Sequence, residues 1–236
     1  MSEAIIITPV KDSLETTKRT IEAISKANGN FEYHIFNDFS QAGTKKFLEQ
    51  HQKKYGYQLI HLEEITSTPS PNYKLVLKLA QKKALEKNLP LLIIESDVVV
   101  QRGTITELLK ILQTKPKPGI IGAITVDDSG KYNFPYTFEK TKSKDVINTK
   151  HSLSFCCTLL SPQFLNEFDF ESLSHKKDWF DVFISRQSKK SGFNNYLAKG
   201  IEVLHLPHSS RPWKNLKYTK PALYYLKKYL YKRDRI

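Results

Sequence analysis

Two carboxylates, Glu95 and Asp97, close an apolar run in the stretch LLIIESDVVV, residues 91–100. A run this apolar reads as a strand buried on both faces. In a strand, residues i and i+2 point to one side, so Glu95 and Asp97 are expected to meet near its C-terminal edge. Like charges held together are unfavourable unless something positive sits between them. The plainer alternative is that Asp97 caps the following turn and Glu95 pairs with a basic neighbour. Other groups able to do chemistry also fall at element ends. Asn37–Asp38 close a second strand pattern, where a carboxylate can accept hydrogen bonds or simply form an Asx turn. Asp178 and Asp181 open an amphipathic stretch, where Asp178 reads as an N-cap and Asp181 as a first-turn carboxylate favoured by the helix dipole. His205 and His208 lie in VLHLPHSS, followed by Arg211 and Lys214 in a Pro-containing segment.

The elements around these groups alternate. AIIITPV (4–10) is a strand pattern, and residues 14–27 have helical spacing with Ser13 as a plausible N-cap. FEYHIF (31–36) is a second strand, and TKKFLEQHQKKYG a second helix closed by Gly56. YQLIHL is a third strand; after the break TSTPSPN comes the amphipathic helix YKLVLKLAQKKALEKN, which leads into residues 91–100. The order β-α-β-α-β-α-β predicts a mixed, mostly parallel sheet with helices on both faces. In such sheets ligands bind beyond the C-terminal ends of the strands, where Asp38, Glu95 and Asp97 lie. The second half reads as a helix at 104–114, a strand at 119–126, a turn-rich and mobile loop at 127–150, and a strand at 152–161. A helix opened by Pro162, a helix over 178–192, a strand at 201–208 and a basic, aromatic terminal helix follow.

A chain of 236 residues, 39% apolar, can bury a substantial core in one domain. We assign residues 1–210 to it, with a nucleotide-binding half (1–100) and an acceptor half (101–210), and residues 211–236 to a basic tail. No run of eighteen apolar residues suits a membrane-spanning helix, and MSEAIIITPV lacks the pattern of a secretory signal. The only cysteines, Cys156 and Cys157, are adjacent and read as small buried residues in a reducing compartment, so the cytoplasm is the expected location. The net charge of +13 implies an anionic partner. From Ser209 onward there are nine Lys/Arg against one Asp. Tyr224, Tyr225, Tyr229 and Tyr231 among those lysines suit an anionic membrane interface, and packing on the domain suits them equally.

Taken together, these pieces resemble the inverting family 2 glycosyltransferases of the GT-A fold. The resemblance rests on IIITPVKDSLETTKRTIEAI, FNDFSQAGT, IIESDVVV, SFCCTLLSPQFLNEF, DWFDVFISRQSKKSGF and VLHLPHSS, in that order over residues 4 to about 210. It implies transfer of a sugar from a nucleotide-diphosphate donor, a UDP-sugar foremost, to a hydroxyl of a glycan or lipid-linked acceptor of the cell-surface kind. Asp97, with Glu95 and His205, would hold Mn²⁺ or Mg²⁺, which want oxygen-rich ligand sets. Asp38 would meet the base or ribose, and Thr8, Pro9, Val10 and Ser96 would line the donor pocket. Asp181 would be the general base, and Arg211 would close over the diphosphate. The chain departs from the family pattern at Glu95, at Asn37, at Phe180 where Glu is usual, and at Arg186, one residue short of the usual spacing from Asp181.

Competing readings have their own signatures. A catalytically degenerate GT-A-like protein would bind nucleotide or glycan without turnover. A nucleotidyltransferase would want a Gly-rich basic loop after the first strand, and TPVKDSLETT has no glycine. A nucleic-acid-binding module is motivated by charge alone; no zinc spacing or RNP-type motif is present, so no nucleic acid is expected.

Overall fold

The computed structural model of the protein describes residues 2–139, 141–174, 179–207 and 221–230, with side chains in the last segment to residue 226. The chain divides into two compact units, Met1–Leu206 and Pro207–Ile236. The first unit runs β1 (Ala4–Val10), α1 (Leu14–Ser25), β2 (Phe31–Asn37), α2 (Ala42–Tyr55), β3 (Tyr57–His61), α3 (Tyr73–Lys87), β4 (Leu91–Ile94) and β5 (Val98–Val99). It continues with α4 (Thr104–Thr114), β6 (Pro118–Val126), β7 (Val146–Asn148), β8 (Cys157–Leu160), α5 (Pro162–Glu167), α6 (Phe180–Lys190) and β9 (Asn194–His205). The second unit contains α7 (Pro221–Leu230).

The strands form one sheet in the order β3-β2-β1-β4-β8-β6-β9-β5, with β7 also on β9. The first half is parallel throughout: β1 pairs β2 and β4, and β2 pairs β3. The second half is mixed. The β8 strand runs antiparallel between β4 and β6, β6 and β9 are parallel, and β5 and β7 are antiparallel to β9. The sheet is thus less parallel than the helix-strand alternation of the first half implies.

Alternation along β1 sends Ala4, Ile6 and Val10 to one face and Ile5 and Ile7 to the other. The first face is covered by α1 and α4, through Ile21, Ile24, Ile105 and Leu108, with Leu48 of α2. The second is covered by α3, α5 and α6, through Val76, Leu77, Ala80, Phe164 and Ile184. The sequence dictates these faces. In α1 the buried residues are Thr17, Thr20, Ile21 and Ile24, one stripe at helical spacing. Gly56 closes α2 with φ 70°, its N–H donating to Gln52 O, as a left-handed C-cap requires.

Several boundaries differ from expectation. Residues 91–100 are not one strand: β4 stops at Ile94, a turn closed by Val98 N–H to Glu95 O follows, and β5 joins the far edge of the sheet. Ser13 precedes α1 in a left-handed conformation and makes no side-chain cap. Only Cys157–Leu160 of residues 152–161 pair as a strand, and the last strand begins earlier, at Asn194. The helix opened by Pro162 is capped by Ser161, whose Oγ accepts from Phe164 N–H at 3.1 Å. The expected loop at 127–150 contains β7 and is tied down by Tyr136, 1% exposed. Gly122 of β6 leaves room for that ring: a Cβ there would lie 3.1 Å from the Tyr136 hydroxyl.

Candidate active site

Because β1, β2 and β4 are parallel neighbours, their C-terminal ends lie along one edge, the usual ligand edge of such a sheet. The turn after β4 presents Glu95, Ser96 and Asp97 there. Glu95 N–H donates to Cys156 O at 3.0 Å, extending the β4–β8 ladder by one residue and setting Cys156 beside Glu95. Its Sγ lies 3.6 Å from Glu95 Oε2. The short β5 pairs Val98 with His205, which carries the end of β9 across to Asp97. His205 Nε2 is 3.5 Å from Asp97 Oδ2, and Asp97 is 4% exposed. The other ring nitrogen, Nδ1, is 2.7 Å from Phe134 O. With Nδ1–H donated to that carbonyl, the neutral imidazole carries its lone pair on Nε2, on the side of the carboxylates, the arrangement of a metal-ligating histidine.

The electrostatics are those of crowded negative charge. Burial first, then Asp97, pushes the Glu95 carboxyl up to about 7, with Asp181 adding to the rise and His205 opposing it. Burial would lower His205, but Asp97, Glu95 and the Phe134 carbonyl outweigh it, and the imidazole titrates above its ordinary value. Burial, then Glu95 and Asp97, hold the Cys156 thiol well above its usual range. Among the described residues, Glu95, Cys156 and His205 form a trio whose potential ligand atoms all lie within 4.8 Å of one another. Carboxylates and an imidazole with a preset tautomer, short of positive charge, fit a divalent cation. Asp97 is not part of that trio: it stands against His205, and its charge reaches Glu95.

Asp181 lies in the first turn of α6, half-buried, where its Oδ1 accepts from Val182 N–H at 2.8 Å. It stands close enough to Glu95 and Cys156 for its charge to oppose their ionisation. Phe180, before it, packs into the second core, its ring 6.3 Å from that of Tyr73. Arg186 is exposed on α6.

At the neighbouring strand ends, Asp38 is 7% exposed and serves as a bracket. Its Oδ2 accepts from Ser70 Oγ at 2.7 Å and Asn72 N–H at 2.8 Å, and its Oδ1 from Asn72 Nδ2 at 2.8 Å. These bonds hold the segment after β3 against the end of β2. Of the expected pocket residues, Thr8 and Val10 are interior. The Thr8 hydroxyl accepts from Tyr33 Oη at 3.0 Å, and Val10 belongs to the first core. Pro9 is partly exposed, as is Ser96. Lys11 reaches Phe39 O at 2.5 Å and Asp12 Oδ1 accepts from Gln41 N–H at 2.7 Å, tying the β1–α1 and β2–α2 loops together. Asp178, His208, Arg211 and Lys214 lie outside the described residues.

Sequence reasoning missed two participants. Cys156 is buried in the first core as expected; what is missed is its adjacency to the carboxylate turn, which follows from β8 pairing with β4. The Phe134 carbonyl is a backbone group on a loop and leaves no side-chain signal.

The comparisons with known proteins bear on the fold and the family. No curated protein sequence matches the chain. Among solved structures, the mannosyltransferase PcManGT from Pyrobaculum calidifontis, in complex with GDP-Man and Mn²⁺, aligns with a TM-score of 0.66 at 12% identity, over 99% of this chain and 65% of that one. A 1–349 fragment of TarS from S. aureus in complex with UDP-GlcNAc aligns with a TM-score of 0.67 at 13% identity, over 89% of this chain and 59% of that one. GalNAc-T7 with UDP, GalNAc and Mn²⁺ gives 0.64 at 13% identity, over 87% of this chain and 43% of that one. The chain thus spans less than two thirds of each of these proteins and shares their GT-A fold. The sequence profile of glycosyl transferase family 2 matches residues 5–167, ending before α6 and β9. With more than half of its length inside that match, the chain belongs to glycosyl transferase family 2.

Proposed function

We propose that the protein is an inverting glycosyltransferase that moves a sugar from a nucleotide-diphosphate donor to an acceptor hydroxyl. The observation that carries the reading is the convergence of Glu95, Asp97 and His205 on one edge, with the charge of Asp181 beside them. Glu95, Asp97 and His205 would hold the divalent cation, Mn²⁺ or Mg²⁺, and its chemistry there is to neutralise charge on the leaving diphosphate. The chain's own residues do the rest. Asp38, Pro9 and Ser96 frame the nucleoside end of the pocket. Asp38 Oδ1 accepts one hydrogen bond among the described residues, which leaves it a lone pair for a base N–H such as uracil N3–H, or for a ribose hydroxyl. Asp181 takes the acceptor hydroxyl's proton as that oxygen bonds to the anomeric carbon and the bond to the diphosphate oxygen breaks. One displacement with one base inverts the anomeric centre.

We assign residues 1–210 to the catalytic domain and 211–236 to a basic tail that meets anionic membrane lipid, which suits a glycan or lipid-linked acceptor at the cytoplasmic membrane face. Among the described residues no helix is long and apolar enough to cross a membrane. Nucleoside-diphosphate release from a panel of UDP- and GDP-sugars tests the reading. Release by the wild type that falls by about 10²–10⁴-fold in Asp181→Asn supports it. Phe180, apolar where family members usually carry Glu, favours a second reading as a catalytically degenerate binder; nucleotide binding with no release from any donor would establish that instead.

A further inference from the structure

We propose that Cys156 is a sulfur ligand of the divalent cation held by Glu95, Asp97 and His205, so that the centre takes thiophilic cations of the Zn²⁺, Co²⁺ or Cd²⁺ class in preference to Mg²⁺. The inference rests on the metal reading of the site and adds to it a soft donor that an oxygen-only centre lacks.

The geometry carries it. Cys156 Sγ is 3.6 Å from Glu95 Oε2. Two ligands at about 2.0 Å (oxygen) and about 2.3 Å (sulfur) on a tetrahedral ion lie about 3.5 Å apart. The histidine nitrogen completes a trio with every pair of ligand atoms within 4.8 Å, so the side chains need to close by no more than about 1.5 Å to reach the roughly 3.3–3.6 Å separations of a tetrahedral ion. The positions are held by the fold. Cys156 O accepts from Glu95 N–H at 3.0 Å, and the next residues pair as Ile94 with Cys157. His205 is fixed by Phe134 O at 2.7 Å and by Asn133 Nδ2, which donates to His205 O at 3.0 Å. Cys157, equally buried, is not part of the trio. On binding, the Cys156 S–H bond breaks, a sulfur–metal bond forms, and the proton leaves to solvent. A bound cation deprotonates a coordinating thiol outright. Thiolate ligation selects against Mg²⁺, which demands oxygen.

The test is titration of the full-length protein with Co²⁺ under a non-thiol reductant, followed by absorption. The expected result is a saturable thiolate-to-cobalt charge-transfer band in the near ultraviolet. Cys156→Ser should lose this band while keeping the visible cobalt bands, and Cys157→Ser should keep both. Zn²⁺ should bleach the spectrum at equimolar concentration and Mg²⁺ should not. Zn²⁺ affinity should fall at least about tenfold in Cys156→Ser, with Mg²⁺ affinity unchanged. The wild-type spectrum is decisive even if a variant fails to fold. Visible cobalt bands without a charge-transfer band would overturn the proposal and leave an oxygen and nitrogen metal site intact. A band that survives in Cys156→Ser would overturn it as well. No cobalt binding at all would overturn both this proposal and the metal reading, and UDP titration without metal would show whether the donor site stands.

Discussion

His34 on β2 is a buried histidine with no hydrogen bond to either ring nitrogen among the described residues, and Glu32 Oε2 is 3.8 Å from its Nε2. Burial first, then Lys83, lower its pKa from 6.5 to about 4, against a small opposing pull from Glu32. The folded protein therefore keeps His34 neutral at pH 7. The unfolded chain takes up a proton at pH 6.5 and below, whereas the folded one does so only near 4, so stability falls as pH falls through that window. The full loss amounts to about 3 kcal/mol, of which about 2 kcal/mol is gone by pH 5. The side chain is only 3% exposed, so solvent screening takes little from this. The assay is urea unfolding of wild type and His34→Leu at pH 7.5 and pH 5. Other groups titrate in both proteins, so the difference between them isolates the histidine. Wild type should lose about 2 kcal/mol more than His34→Leu between the two pH values. Equal losses would refute the reasoning, because they would mean His34 finds a proton-accepting partner or water in the folded state.

Other consequences can be checked in the same preparations. Asn72→Ala removes the donor to Asp38 Oδ1 and should lower unfolding stability by about 1.5–3 kcal/mol, the range for a hydrogen bond to a charged group, while also weakening UDP binding. Tyr136→Phe strips the acceptor from Ser154 N–H and should cost about 1–3 kcal/mol in denaturant unfolding. Asp181→Asn should leave UDP affinity within about twofold while abolishing most turnover, since the base meets the acceptor hydroxyl and not the nucleotide. Treatment with EDTA should remove turnover in the wild type and Mn²⁺ should restore it; activity unaffected by the chelator would exclude a metal-assisted reaction.

How much of this was legible in the sequence differs between the two halves. In the first, periodicity is local: AIIITPV, FEYHIF and YKLVLKLAQKKALEKN each carry their own burial pattern, and the parallel order follows from connection length. In the second, pairing is non-local. The run LLIIESDVVV looks like one strand because apolar residues flank the carboxylates, but β5 is drawn away by β9, far along the chain. The same pairing sets His205 against Asp97. Ser13 has the right residue type for a cap, yet its left-handed backbone turns the hydroxyl away from that role. Asp38 was recognised as a strand-end carboxylate, but its bracket to Ser70 and Asn72 depends on how the segment after β3 folds back. Cys156 has no sequence signal as a ligand, because its neighbours are supplied by β4 and β9.

The central claim is a donor site whose diphosphate and cation meet at Glu95 and Asp97. Calorimetric titration of UDP, with Mn²⁺ and with EDTA, on wild type and Asp97→Asn tests it most directly. The account predicts binding to the wild type in Mn²⁺, weakened at least about tenfold by EDTA and equally by the substitution. UDP binding that is indifferent to both, or no nucleotide binding under any condition with GDP as comparator, would contradict it.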